Sequence, residues 1–205
     1  MLDFNIGFDS GWTRVVSGLA GMPLRLRTAQ RRALMEQAKR FQTAVRVGIE
    51  QQAPGGKPFA PLSPFTLAVR QFLNMPSTKA LLVRGRLSRG VKVKKITEDD
   101  IFVGVLNDGT EGSRGLPLIK VALTEEYGSE FVIQITPKMH AFFMAVLRTQ
   151  DLPIGPPGSG RSSGQLYIRI PPRPFLQPVM DEFAKTFEAE FTRSLGRQFF
   201  GELVG

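Results

Sequence analysis

The sequence predicts an α+β fold in which a small antiparallel sheet packs against a long N-terminal helix and a long C-terminal helix, with extended arms and loops around them. Two long segments repeat apolar residues every three or four positions, one from Thr28 to Gln52 and one from Phe175 onward. Between them, VKVKK and IFVGV alternate around an acidic EDD turn, which is the pattern of a hairpin with one buried face.

Residues 1–27 hold Gly7, Gly11, Gly18, Gly21 and Pro23 without a sustained period and read as an N-terminal arm. Residues 28–205 read as a single domain. Thr28 is the expected N-cap of the first helix, whose apolar face is Leu34, Ala38, Phe41, Val45 and Ile49, and Pro54, Gly55 and Gly56 end it. Ser63 before Pro64 predicts a second, short helix to about Leu73, broken by Asn74 to Ser77. A helical or turn-like piece to Leu87 then leads into the hairpin, with Val91, Val93 and Ile96 on its inner side.

Residues 106–116 (LNDGTEGSRGL) predict an exposed flexible loop. VALTEEY predicts a helix stopped by Gly128, followed by a strand from Phe131 to Ile135. The period between Lys138 and Leu147 fits either helix or strand. Residues 152–165, rich in glycine and proline, predict a flexible connection, and LYIRI a returning strand. Phe175, Leu176, Val179, Met180, Phe183, Phe187, Phe191, Leu195 and Phe199 then line one stripe about seven turns long. That stripe is expected to cover the sheet and, at its far end, to exceed what so small a sheet can hide.

Composition narrows the chemistry. With 42% hydrophobic and 22% charged residues over 205 positions, the chain has the makings of a folded domain. No segment is apolar for long enough to span a membrane, and the opening MLDFNIGFDSGW is acidic where a signal peptide needs basic residues, so the chain is expected to stay in the cytoplasm where it is made. The absence of cysteine removes disulfides, thiolate nucleophiles and cysteine-ligated zinc, and a single histidine removes multi-histidine metal sites. No cofactor is expected.

The formal charge of +9 implies attraction to something acidic, but the basic residues are spread over several segments rather than gathered in one stripe. Arg84, Arg86, Arg89, Lys92, Lys94 and Lys95, alternating with apolar residues, are the local candidates for contact with DNA or an acidic partner; lysines on the open face of a hairpin that prevent edge pairing explain them equally well. Arg161 sits in the flexible connection as a docking candidate. Glu98, Asp99 and Asp100 read as a solvated turn, and Glu125, Glu126 and Glu130 as a solvated helix end. His140, beside aromatics and without a triad partner, reads as a core or interface residue. GPPGSGRSSG lacks the GK[ST] ending of a phosphate loop. No catalytic or metal-binding set emerges.

IPPRPFL, Ile170 to Leu176, is the stiffest stretch. Strand YIRI has to leave its sheet and become the last helix, and prolines at 171, 172 and 174 fix that corner while giving up donors that a helix start leaves unpaired. Arg173, flanked by prolines, is expected to point outward into an ordered salt bridge or a subunit contact.

Taken in order, PLSPFTL (Pro61 to Leu67), LLVRGRLSRGV (Leu81 to Val91), the hairpin ending VGV, VALTEEYGSEF (Val121 to Phe131), ITPKMHAFF (Ile135 to Phe143) and IPPRPFL resemble the virion morphogenesis, or tail completion, family of tailed bacteriophages. The resemblance covers about residues 28–195. Members carry an alanine-x-x-x-glutamate-tyrosine-glycine segment, matched by Ala122 to Gly128, and a proline-alanine-arginine-proline-phenylalanine corner, matched by Pro171 to Phe175 except that Pro172 replaces the alanine. Arg84 stands where the family has threonine before Gly85.

The resemblance implies a structural protein without catalysis. It would form a ring, by family habit a hexamer, in the phage neck or at the head-proximal end of the tail, completing the tail and joining it to the capsid connector, around an axial channel through which DNA passes. Its partners would be further copies of itself and adjacent neck, connector or tail-tube proteins; its place would be the virion, assembled in the host cytoplasm. Arg173, Pro174, Phe175, Phe187, Phe191 and Phe199 are the expected interface, with no membrane contact. The competing reading is a basic nucleic-acid-binding protein that handles phage DNA.

Overall fold

The computed structural model describes residues 24–75, 78–82, 84–109, 115–149 and 164–204, the side chains of Arg25 and 201–204 excepted. Of the expected arm only 24–27 fall among these residues, and they are helical. Helix α1 runs Leu24–Gln51, so Thr28 is not its N-cap: one turn inside, its hydroxyl donates back to the Leu24 carbonyl. A 3-10 turn, Pro54–Gly56, closes α1. Gly55 is required there, because its φ is 57° and a Cβ would stand 2.2 Å from the carbonyl oxygen of Pro178.

Helix α2 is Pro64–Phe72, with the Ser63 hydroxyl accepting from the Thr66 amide, as the Ser-Pro pair predicts. A single turn, α3 (Arg86–Gly90), leads into strands β1 (Val91–Lys95) and β2 (Ile101–Val105), paired antiparallel with Val91 opposite Val105. The EDD turn is organised by the Thr97 hydroxyl, which accepts from the amides of Asp99 and Asp100.

Helix α4 (Leu118–Tyr127) ends at Gly128, and strand β3 (Ser129–Gln134) follows. The ambiguous segment after it is a helix, α5, Pro137–Thr149. Strand β4, Gln165–Ile170, pairs antiparallel with β3, and helix α6, Gln177–Val204, follows it. The class is therefore α+β, with one difference in layout: instead of one small sheet, the described strands form two separate two-stranded ribbons, β1–β2 and β3–β4. The connection expected over 152–165 includes Gln165, which is already strand; the rest up to 163 lies outside the described residues, as does 110–114 of the expected loop.

The core lies between α1 and α6, which pack antiparallel. Phe41, Val45 and Ile49 of α1 meet Phe175 and Val179, and Leu87, Val91, Val105, Leu118 and Ala122 close this cluster from α3, the first ribbon and α4. A second cluster continues along the helix pair with Ala33, Phe187 and Phe191. The aromatic stripe thus covers a helix rather than a sheet. Phe41 meets Phe183 edge-on at 5.3 Å, and Phe187 stacks on Phe191 at 5.7 Å.

Polar contacts fasten the rims of the same pair. Arg40 reaches the Glu190 carboxylate at 2.6 Å, and Glu36 accepts from Ser194 at 2.5 Å and Arg197 at 2.7 Å. The Ser194 hydroxyl, then the Arg197 charge, holds the Glu36 carboxyl below the ordinary carboxylate range.

α2 and α5 pack on each other through Phe65 against Phe143 and Phe72 against Phe142. The β3–β4 ribbon stands apart: among the described residues neither of its strands packs broadly against any element but the other.

Truncating a ring inside the α1–α6 seam leaves a cavity, whereas truncating one at its exposed end does not. Phe191→Ala is expected to lower unfolding free energy by about 3–5 kcal/mol, and Phe200→Ala, at a ring 65% exposed, by less than about 0.5 kcal/mol. Chemical denaturation of the two variants checks this; equal losses would contradict the burial described.

Candidate functional site: the elbow and the exposed ribbon

The elbow between β4 and α6 turns out to be a complete account of backbone donors. Pro171, Pro172 and Pro174 have no N–H to place. The Arg173 N–H donates to the Glu125 carbonyl at 2.6 Å. The next three amides all reach one carboxylate: Phe175 and Leu176 donate to Glu126 Oε2 at 2.8 and 3.1 Å, and Gln177 to Oε1 at 2.9 Å. Glu126, at the end of α4, is therefore the N-terminal cap of α6, supplied from 51 residues away in sequence and placed where a helix dipole favours negative charge.

This overturns the reading of Glu126 as part of a solvated helix end, since it is 7% exposed. The signal was present. Leu118, Ala122 and Glu126 fall at steps of four on one face of α4, so the carboxylate continues an apolar stripe into the interior.

Arg173 is likewise turned inward rather than held outward: it is 7% exposed, with Nε and Nη2 donating to the carbonyls of Ala60 and Pro61. Its Nη1 lies 3.6 Å from Glu125 Oε2, an ion pair too long for a hydrogen bond. Burial pushes the Glu125 carboxyl above the ordinary carboxylate range, and the Arg173 charge pulls it part of the way back. Arg70 of α2 completes the group; burial, then Arg173, lowers its pKa. Gly128 is required beside it, with φ of 76° and only 2.9 Å between a hypothetical Cβ and the Ile170 carbonyl oxygen.

The expected interface residues distribute accordingly. Phe175, Phe187 and Phe191 are buried against α1, with Arg173 buried at the elbow, so their surfaces are already used within the chain; Pro174 and Phe199 are half-buried. Among the described residues the stripe outruns its cover at its far end, where Phe199 meets an exposed Phe200 edge-on.

The basic run is not an open stripe. Lys92 pairs with Asp108 at 2.8 Å and Lys95 with Glu98 at 2.6 Å, while Arg89 donates to the Arg84 carbonyl. Lys94, Arg84 and Arg86 lie on the surface. The acidic turn has a structural task, since Glu98 and Asp99 receive Arg31 of α1 at 2.7 and 3.4 Å. His140 is exposed on α5 and belongs to no core. Arg161 lies outside the described residues.

A further candidate surface is the β3–β4 ribbon, where exposed apolar side chains gather on one small element. On one face Phe131, Ile133, Leu166, Ile168 and Ile170 gather; on the other, Val132 and Tyr167 stand opposite each other beside the Glu130–Arg169 pair at 3.1 Å. Phe131, Val132 and Tyr167 are 41%, 56% and 59% exposed. The Tyr167 hydroxyl donates to Glu130, which raises the Tyr167 pKa.

Among the described residues no three His, Asp or Glu side chains converge to hold a metal. A shallow depression of about 330 Å³, lined by Gln52, Phe59, Leu62, Leu67, Thr78 and Ala80 among others, carries no titratable side chain. Among the described residues no helix is long and apolar enough to cross a membrane. No family model, curated protein or solved structure matches the chain.

Two substitutions separate the elbow's parts. Glu126→Gln replaces a charged acceptor of three amides by a group with one acceptor and one donor; a loss of about 3 kcal/mol is expected in denaturant unfolding. Arg173→Met removes the nearest cation from a partly buried Glu125 and leaves Arg70 as its remaining positive neighbour, at a cost of about 1–3 kcal/mol near neutral pH. A carboxyl whose folded pKa is raised contributes stability below its unfolded value, 4.5, and loses it as pH rises through the folded value. The Arg173→Met deficit is therefore expected to shrink as pH falls towards 4.5; a deficit that stays constant or grows would refute the buried pairing.

Proposed function

We propose that this chain is a structural subunit of a ring in the neck or head-proximal tail end of a tailed bacteriophage, where it completes the tail and joins it to the capsid connector. The reading takes its family from the ordered motifs between Pro61 and Leu176. The observation that carries it is the β3–β4 ribbon. A free two-stranded ribbon is marginal in water, and this one shows half-exposed apolar side chains on both faces with no broad cover from the described residues. An exposed apolar patch of this kind marks an association surface. The long helices and the capped elbow supply the rigid base from which such a ribbon is presented.

The chain acts by assembly in this reading, not by catalysis. Heterologous contacts between copies close into a ring, with six subunits as the family-style number, and the ribbon and the outer end of α6 meet copies of itself or the adjacent neck, connector or tail-tube proteins. Particles lacking the chain are expected as separate filled heads and tails in electron micrographs, and Val132→Asp with Tyr167→Asp as a partial copy of that defect. Normal joined virions from the null mutant would end the proposal.

The net charge of +9 and the surface position of Lys94, Arg84 and Arg86 favour DNA handling as a second reading. It makes a different demand. With Lys92 and Lys95 engaged by carboxylates, few phosphate contacts are available from the hairpin, and the log–log salt dependence of double-stranded DNA affinity is expected to be no steeper than about −3. A slope steeper than about −5 in a fluorescence-anisotropy titration would favour the DNA-handling reading instead.

A further inference from the structure

The hydrogen-bond register of the β3–β4 ribbon shows which of its backbone groups are free. Ile135 N–H donates to the Gly164 carbonyl at 2.5 Å, immediately beyond the last cross-strand partners, Gln134 and Gln165. In an antiparallel ladder, bonded and non-bonded pairs alternate. Ile133 with Leu166, Phe131 with Ile168 and Ser129 with Ile170 are therefore the bonded pairs. Gln134 with Gln165, Val132 with Tyr167 and Glu130 with Arg169 are the non-bonded ones, and their N–H and C=O groups point away from the ribbon.

Among the described residues nothing pairs with either outer edge: Glu130, Val132 and Gln134 on β3, and Arg169, Tyr167 and Gln165 on β4. Both repeat outward groups at every second residue, so they match along their full length. The other ribbon manages its edges differently, with lysines 92, 94 and 95 along β1 and packing against α1. SEFVIQ and QLYIRI contain neither proline nor glycine and carry strongly strand-forming residues.

The geometry points to a second copy of this chain as the occupant: the β4 edge of one subunit adds to the β3 edge of the next, continuing the antiparallel sheet from subunit to subunit. The charges select this arrangement. In the matching register Arg169 faces Glu130 of the next copy, Tyr167 faces its Val132 and Gln165 its Gln134, with about six new main-chain bonds. Pairing β3 with β3, or β4 with β4, sets each charge opposite a glutamine instead. Opposite charges directly across a ladder are favourable by a few tenths of a kcal/mol each, and on the other face the rows Phe131–Ile168 and Ile133–Leu166 become one apolar surface.

Because the two edges differ, the contact is heterologous and repeats until it closes. Closure into a ring rests on the proposed function; the edge pairing itself does not.

Proline removes an N–H, and at Val132 or Tyr167 that N–H is an outward one, so the intra-ribbon ladder is kept. Light scattering coupled to size exclusion should find the unaltered chain in species larger than a dimer, and Val132→Pro and Tyr167→Pro each monomeric. Mixed in equal amounts, the two variants retain one complementary edge each and should form a dimer of one copy of each that grows no further. A chain monomeric up to about 1 mM, variants that associate like the unaltered chain, or a mixture that stays monomeric would each overturn the inference.

Hydrogen exchange on the unaltered chain tests it without substitution. The amides of Val132 and Tyr167 should gain protection as protein concentration rises, and unchanged exchange across an association transition would place the contact elsewhere. Edge pairing in solution combined with normal virions from a null mutant would sink the neck reading and leave the pairing intact.

Discussion

One carboxylate holds the two halves of this protein in register. Glu126, at the last turn of α4, accepts the three amides that open α6, and α6 in turn supplies the aromatic side of both core clusters. A 28-residue helix entering the fold at another angle would carry its phenylalanines off α1, because a small tilt at one end becomes a large displacement at the other. The prolines on either side of Arg173 make the arrangement exclusive. They withdraw competing donors, and the amides that remain all go to α4, Arg173 to the Glu125 carbonyl and the next three to the Glu126 carboxylate.

The same junction connects the core to the part of the molecule that faces outward. Arg173 ties the elbow to the chain before α2 through the carbonyls of Ala60 and Pro61 and to α4 through Glu125. A buried ion pair is an expensive way to stabilise a fold, since desolvation of both groups offsets much of their attraction. What it secures is direction. The β3–β4 ribbon leaves from Gly128 and returns at Ile170, on either side of this cluster, so its orientation is set by a rigid base.

Surface and core divide the aromatic residues between two tasks. Among the described residues the α6 stripe is covered by α1 over most of its length and gives out around Phe199 and Phe200, whereas the ribbon keeps Phe131, Val132 and Tyr167 at the surface. Charge divides in a parallel way. Despite a net +9, lysines of the first ribbon are matched locally by Asp108 and Glu98, which serves hairpin stability and solubility and leaves a weaker field for distant phosphates.

Local chemistry was legible in the sequence alone. The periodicity of α1 and α6, the Ser63–Pro64 start of α2, the Gly128 stop, the EDD turn and the proline corner depend on residues within a few positions of one another, and each stands where its spacing places it. The start of α1 escaped because Thr28 serves a helix interior as readily as a cap, and α5 escaped because its period fits two structures. Only the tertiary structure decided that α6 covers α1 instead of a sheet, that the four strands form two ribbons, and that Glu126 and Arg173 turn inward. The helix packing, the cap and the Arg173 anchor depend on partners distant in sequence: 49 residues for the Glu126 cap, 113 for Arg173 and Ala60, and up to 161 between α1 and α6. A carboxylate or guanidinium is written identically whether it meets water or a row of unpaired amides, and the burial that tells them apart exists only once the chain has folded.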